Sequence, residues 1–397
     1  MRILVVSHSC AIPLNQQIYA EIRRQTGWEF TLVVPQSWLD EFGNALPGQL
    51  WSGFDAQLVA SPVHLNGNII LHWYRTSFRR LLLDTRFDAI YVNHEPYGVA
   101  TAQVCWANLR TRRIPFGFYS CQNLEKSYPP PFCWMERMVY LSSAFAFPIT
   151  DAVGRVIQGK GFRGAMAVCP LPFDPGLYRK RPAEERQEAI PRKQSEVVIG
   201  YVGRLVEQKG LRTLVEALTR LPDSGWKLIV IGSGPFEQSF DDLVCERGLS
   251  NRVSRLGYVS HEVTPRYLAA LDVLVLPSET QPNWKEQFGR VIMEALACGV
   301  PVIGSDSGEI PNLINASGGG RVFPERNSVA LAEMLRQMIS DETLRRSCAN
   351  IGYAWTIKNV SLAAVAASMA ATIESVIAGN NHKANGASEL MVSSAGQ

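Results

Sequence analysis

The sequence predicts an α/β protein made of two domains, each a doubly wound parallel sheet. Three observations carry that prediction. Short apolar runs alternate with helix-period segments along most of the chain. A proline-rich and then charged stretch, from Pro170 to Ser195, is the one long interruption of the rhythm. After it the rhythm restarts with the apolar run Val197 to Val202.

At 397 residues the chain has room for two to three domains, each large enough to bury a core. A composition of 46% hydrophobic and 19% charged residues is ordinary for a globular protein. The net charge of +3 is too small to point to nucleic acid. It is unevenly spread: residues 1–170 hold 15 Lys and Arg against 11 Asp and Glu, and the remainder 24 against 25. That mild excess is compatible with peripheral contact between the N-terminal domain and an anionic membrane face. Eight cysteines occur without a C-x2-C pair or a His/Cys ligand spacing, so no metal site is expected. Their apolar settings suit a reduced, cytoplasmic protein. Neither a signal peptide nor a membrane span is expected.

In the first half, strands are expected at Ile3–Val6, Glu29–Val34, Ala56–Ala60, Ala89–Asn93, Phe116–Ser120, Phe145–Ile149 and Met166–Cys169. Helices are expected at Gln16–Thr26, Tyr97–Arg112, Met135–Ser143 and Asp151–Lys160. Open α/β sheets bind ligands outside the carboxyl ends of their strands, so the residues after each run matter most. His8 follows the first strand and reads as a loop histidine. His94 and Glu95 follow the fourth; His94 is placed to donate to a ligand hydroxyl, and Glu95 to cap the next helix. Gln122 and Asn123 follow the fifth, where a carboxamide can both donate to and accept from a hydroxyl.

The organisation read from the chain is a first domain over 1–170, a linker over 171–195 and a second domain over 196–355. A final helix over 356–378 and a disordered tail over 379–397 complete it. In the second domain the run Val197–Val202 ends in Gly203, Arg204 and Leu205, with Lys209 and Gly210 just before a helix. Arg204 offers a planar fork for phosphate oxygens and Lys209 a mobile point charge. The chain has no D-x-D pair to hold a divalent ion, so these two cations would neutralise a diphosphate. Gly232 follows the next strand and permits close backbone approach. Tyr258 and Val259 follow the one after that, in a glycine-containing turn.

The most informative stretch is Pro277 to Gly299, PSETQPNWKEQFGRVIMEALACG. Glu286 precedes a helix expected over Gly289–Cys298, and Glu294 lies two turns along it. Main-chain N–H groups of Phe288, Gly289 and Arg290 open that helix, where an anion or hydroxyl is well received. Two glutamates at this spacing can also be plain solvated helix charges.

Taken with its flanks, EQFGRVIMEALACGVPVI, and with the Gly203–Gly210 loop, this stretch resembles the E-x7-E signature of glycosyltransferase family 4. The resemblance covers residues 1 to about 378, with the specific motifs between 203 and 311. It implies a retaining enzyme of the GT-B fold, with two Rossmann-like domains facing each other across a cleft. It also implies a nucleotide-sugar donor and a glycan or lipid-linked acceptor, with no cofactor and no metal. Glu286 would contact the donor sugar, Glu294 the ribose, and Arg204 and Lys209 the leaving diphosphate. Main-chain groups near Tyr258 would hold the base, and the final helix would return to the N-terminal domain. In many members the fifth strand end carries a histidine; Gln122 or Asn123 stands there instead, which weakens acid–base work at that position. Two other readings stay open: a non-catalytic nucleotide-sugar-binding subunit, and an epimerase or hydrolase on the same fold.

Overall fold

The computed structural model describes residues 1–40 and 43–394, with side chains through Gly379. It divides into two compact units, Met1–Pro172 with the chain from Leu362 onward, and Phe173–Ser361.

Unit 1 is built on seven parallel strands: β1 (Arg2–Val6), β2 (Glu29–Pro35), β3 (Gln57–Ser61), β4 (Ala89–Val92), β5 (Phe116–Ser120), β6 (Phe145–Pro148) and β7 (Ala165–Met166). Their order is β7-β6-β5-β4-β1-β2-β3. Helices α1 (Gln17–Thr26), α2 (Phe78–Asp84), α3 (Val99–Leu109), α4 (Phe132–Ser142) and α5 (Asp151–Gly159) connect and flank them. Local chemistry sets several starts. Ser77 accepts a bond from Arg80 N–H at the head of α2, and Thr150 one from Val153 N–H at the head of α5. Strands such as β4 and β6 are buried along their whole length, as expected of a parallel sheet covered on both faces. Two short antiparallel hairpins, Ser37–Leu39 with Ala45–Pro47 and Val63–His64 with Trp73–Tyr74, were not expected.

Unit 2 has six parallel strands: β8 (Val197–Val202), β9 (Trp226–Ile231), β10 (Val253–Gly257), β11 (Val273–Leu276), β12 (Val302–Ser305) and β13 (Gly320–Phe323). The order is β10-β9-β8-β11-β12-β13. Its helices are α6 (Ala183–Ala189), α7 (Leu211–Leu218), α8 (Glu237–Glu246), α9 (Thr264–Leu268), α10 (Arg290–Ala297), α11 (Ile310–Ser317), α12 (Ser328–Ser340) and α13 (Glu342–Val360). The eight-residue α7 buries Leu211, Leu214, Val215 and Leu218 in the core. At roughly 2 kcal/mol per buried side chain, packing rather than intrinsic propensity holds so short a helix.

Three expectations are corrected. The stretch read as a linker over 171–195 is folded onto unit 2. It contains α6, and Arg186 and Arg192 each reach a different oxygen of Asp272 at 2.7 Å. The helix expected to run unbroken over 356–378 is two helices. Ser361 adopts an extended backbone, pairs as an isolated bridge with Phe173, and ends α13 before α14 (Leu362–Ser394) begins. The unit boundary therefore falls at Ser361, not at 355. Glu95 does not cap α3, whose N-cap is Gly98. Instead it accepts from Ser120 Oγ at 2.8 Å and Cys121 N–H at 2.7 Å, tying the ends of β4 and β5.

Helix α14 packs on α1 within unit 1, burying Val365, Ala366, Met369, Ala370 and Ile373. Its window Leu362–Gly379, with mean hydropathy 1.6, is long and apolar enough to cross a membrane by length and composition. Of that window 28% is buried, along the face that packs on α1. The disorder expected over 379–397 falls on residues whose side chains lie outside the description, and 395–397 lie wholly outside it.

Candidate functional site

Each sheet reverses its strand order at its first strand. Strand β8 stands between β9 and β11, and β1 between β2 and β4. The opening at the carboxyl ends beside such a reversal is where doubly wound sheets take ligands. In unit 2 the loops leaving β8 and β11 carry Arg204, Lys209 and Glu286.

There Lys209 Nζ lies 2.5 Å from Glu286 Oε2, and Ser278 Oγ donates to the same oxygen at 2.8 Å. Both charged side chains are largely covered, at 18% and 11% exposure. The ammonium also sits 5.2 Å from the centre of the Trp284 ring. Gly210 makes this approach possible. Its φ is +66°, and a Cβ there would lie 1.9 Å from the Pro277 carbonyl oxygen. Gly232, at φ +132°, serves the neighbouring loop: a Cβ would lie 1.9 Å from the Gly203 carbonyl oxygen. Arg204 is exposed, and the buried Tyr201 hydroxyl donates to its carbonyl at 2.7 Å. Among the described residues, these loops thus present the paired Lys209, the exposed Arg204 and the Glu286 carboxylate at the strand ends.

Glu294 lies on α10, nearly buried, with Arg290 Nε 2.9 Å from its Oε1. The Tyr178 hydroxyl lies 3.2 Å from His261 Nδ1, near enough to Glu294 to feel its charge. His261 Nε2 is in turn 3.4 Å from Arg290 Nη2. Burial first, and Glu294 next, push the Tyr178 hydroxyl well above its ordinary range, so it stays a donor. Phe288 is buried and anchors the turn into α10. Gly289 caps the helix in the left-handed conformation without a side-chain bond. Tyr258, exposed, and Val259, partly covered, follow β10 at the same edge of the sheet.

Sequence reasoning missed Tyr178, His261 and Glu309. The Glu309 N–H donates to the Glu286 carbonyl at 3.1 Å and fixes that residue's backbone. Tyr178 was hidden in the stretch read as a linker, and neither His261 nor Glu309 belongs to a motif.

In unit 1 the strand ends beside the reversal carry a histidine cluster. His8, His72 and His94 pack edge-to-face with ring centroids 4.8 to 5.2 Å apart, and Trp38 closes on His8 and His72. His94 is buried, with Nε2 2.6 Å from the Ile69 carbonyl, and His72 Nδ1 faces the Asn68 and Ile69 carbonyls. Burial pushes all three imidazoles down, His94 to about 4, and their mutual repulsion lowers His8 and His94 further. One ring nitrogen from each lies within 4.8 Å of the others. Zinc–nitrogen bonds of about 2.0–2.1 Å need tetrahedral ligands roughly 3.4 Å apart. His94 donates from Nε2 to a carbonyl, which leaves its Nδ1 unprotonated, and His8 Nδ1 and His72 Nε2 are buried without a hydrogen-bond partner among the described residues.

Gln122 Nε2 donates to Tyr128 OH at 2.9 Å, and Tyr128 packs against Tyr97 with tilted rings whose centroids are 4.3 Å apart. Asn123 is buried. His94 and Gln122 are thus committed to contacts inside unit 1.

Residues 182–355 match the family described as glycosyl transferases group 1. Among curated relatives, the chain is 26% identical over 231 residues to an alpha-D-kanosaminyltransferase of Streptomyces kanamyceticus, covering 57% of this chain and 58% of that protein. It is 28% identical over 269 residues to the putative colanic acid biosynthesis glycosyltransferase WcaL of Escherichia coli K12, covering 65% and 63%. The matches therefore span less than two thirds of either relative. Among solved structures, sucrose-phosphate synthase from Thermosynechococcus elongatus superposes with a TM-score of 0.70 over 96% of this chain and all of that one, at 18% identity. Anabaena HepE in complex with UDP gives 0.71 over 94% of this chain and all of that one, at 20%. These likenesses show the fold: two Rossmann-like units of the GT-B class.

Proposed function

We propose that this chain is a retaining glycosyltransferase that moves a hexose from a nucleoside-diphosphate sugar to an acceptor hydroxyl of a glycan or glycolipid, without a metal. The observation that carries the reading is the Lys209–Glu286 pair on the loops leaving β8 and β11 beside the strand reversal of unit 2, with Arg204 exposed on the first of those loops. The match over residues 182–355 and the relatives named as an alpha-D-kanosaminyltransferase and a putative colanic acid biosynthesis glycosyltransferase support it.

In this reading Arg204 and Lys209 take the diphosphate, and Glu294 accepts from the ribose hydroxyls. Lys209 turns to the phosphates, and the Glu286 carboxylate, still held by Ser278, orients the donor sugar. The bond from the anomeric carbon to the phosphate oxygen breaks, and its electron pair leaves on the diphosphate. The acceptor oxygen bonds to the anomeric carbon from the same face, and its proton passes to the departing phosphate oxygen. Rate enhancement comes from charge stabilisation of the leaving group and from positioning. No protein nucleophile is required.

The test is donor turnover. UDP-, GDP- and ADP-hexoses are each incubated with polyprenyl-linked glycan acceptors, and diphosphate release is followed with the anomeric signal of the product. The reading predicts release with one base, an α-configured product from an α-configured donor, and loss in Arg204→Ala and Glu286→Gln. Acceptor-independent release of free sugar would move the assignment to a hydrolase. Binding without release from any donor and acceptor would move it to a binding subunit.

A further inference from the structure

The basic excess of the N-terminal half looked diffuse along the sequence, and the structure gathers part of it. Helices α2, α3 and α4 pack side by side in unit 1. Each turns a large apolar side chain to solvent: Leu83 on α2 (45% exposed), Trp106 on α3 (52%), and Trp134 and Leu141 on α4 (67% and 74%). These are not stray residues of a helix turned inside out. The opposite faces are properly buried, with Phe78 and Leu82 on α2, Val104 and Cys105 on α3, and Val139 and Tyr140 on α4.

Around the apolar residues stand exposed arginines: Arg79 and Arg80 on α2, Arg110 and Arg112 at the end of α3, and Arg137 on α4. The guanidinium of Arg110 lies 4.3 Å above the Trp106 ring, and Arg112 Nη2 donates to the Leu83 carbonyl at 2.8 Å, linking α3 to α2. Acidic residues on the three helices are Asp84, which pairs with Arg80, and Glu136, which is buried against Lys160. The face therefore carries a net positive charge around exposed tryptophan and leucine. A groove of about 440 Å³ opens beside it, lined by Arg137, Leu141, Tyr140 and Lys160.

We propose that the α2–α3–α4 face of unit 1 docks on an anionic phospholipid surface, with Trp106, Trp134, Leu83 and Leu141 entering the interface and the arginines meeting the headgroups. Charge complementarity selects this partner. Tryptophan is the residue type that settles at the headgroup level, and arginine stems lie along apolar surface while their heads reach phosphate. A second copy of the chain would bring five arginines against five, which disfavours self-association through the same face. The docking does not depend on the transfer reaction or on which donor is used.

The test is co-sedimentation of the full chain with vesicles of phosphatidylcholine alone, or with about one third phosphatidylglycerol. Binding is expected with the anionic vesicles, falling steeply between about 0.1 and 0.5 M salt as the Debye length shrinks. Arg79→Gln, Arg80→Gln and Arg110→Gln together should lower partitioning by on the order of 100-fold, at roughly five-fold per arginine. Trp106→Ser with Trp134→Ser should lower it at every salt concentration. All five positions are exposed, and unchanged melting temperatures would certify folding. Equal partitioning of variants and wild type, or no preference for anionic vesicles, would overturn the proposal. So would sedimentation velocity showing a dimer that the tryptophan variants dissolve, since the face would then be an interface between copies. None of these outcomes bears on diphosphate release, so this inference and the proposed reaction stand or fall separately.

Discussion

Lys209 and Glu286 form a close, largely buried ion pair, 2.5 Å between Nζ and Oε2, at the point where the unit 2 sheet reverses direction. One partner is the cation expected to take a diphosphate, and the other is the carboxylate expected to take a sugar. In this structure each satisfies the other, so neither buried charge stands unpaired, and in the proposed reaction a donor exchanges this contact for its own.

Removing one member leaves the other uncompensated. Lys209→Met should cost about 3 kcal/mol of stability, read from urea unfolding. The double variant Lys209→Met with Glu286→Gln should recover more than half of that loss. Additive losses in the double variant would mean that the two side chains are not coupled.

Gly210 allows the pair to form. Alanine there would need a left-handed backbone and would place its Cβ against the Pro277 carbonyl. Gly210→Ala should cost at least about 2 kcal/mol and weaken diphosphate binding, while Gly225→Ala, with open space around its Cβ position, should cost about 1 kcal/mol. Equal effects at the two positions would contradict the role given to the close approach.

Tyr178 contacts His261, and His261 contacts Arg290, the partner of Glu294, from outside the motif. Tyr178→Phe should raise the KM for the donor several-fold, leave kcat within about two-fold, and cost about 1 kcal/mol of stability. A fall in kcat at unchanged KM would place Tyr178 nearer the chemistry than the ribose.

The histidine cluster predicts acid sensitivity. The folded state holds His8, His72 and His94 below the ordinary value of about 6.5, so the unfolded chain binds more protons as the pH falls. Stability from this source is complete above about pH 6.5 and is lost progressively toward pH 4, the region of His94. Glu95, pushed up by burial, acts in the opposite sense, so wild type is compared with His72→Gln, which keeps Glu95 in place. The urea midpoint should fall less steeply with acid in the variant. An identical slope would remove the cluster from the account.

The sequence was most legible where one physical signal stood alone. The runs Val197–Val202 and Val273–Leu276 are apolar throughout because both faces of the sheet are covered, and they are the observed strands to the residue. Glu286 and Lys209 could be named from their places after such runs, although nothing in either stretch said that they pair. The hairpins of unit 1 were missed because strands of two or three residues carry no period. The break at Ser361 was missed because helix-forming residues continue on both sides of it, and tertiary pairing with Phe173 decides the matter. His72 was invisible for a different reason: three histidines from three distant segments share no spacing, and only the fold brings them together.

The most direct test of the central claim is calorimetric titration of UDP, GDP and ADP into the full chain with EDTA present, beside Arg204→Ala and Glu294→Ala. The account predicts that one diphosphate binds without metal and that each variant loses at least about ten-fold in affinity, consistent with losing one charge-assisted contact. Their melting temperatures without ligand should stay close to wild type for Arg204→Ala, whose side chain is exposed. Binding that requires a divalent ion, or that survives both substitutions intact, would contradict a donor site built from these residues.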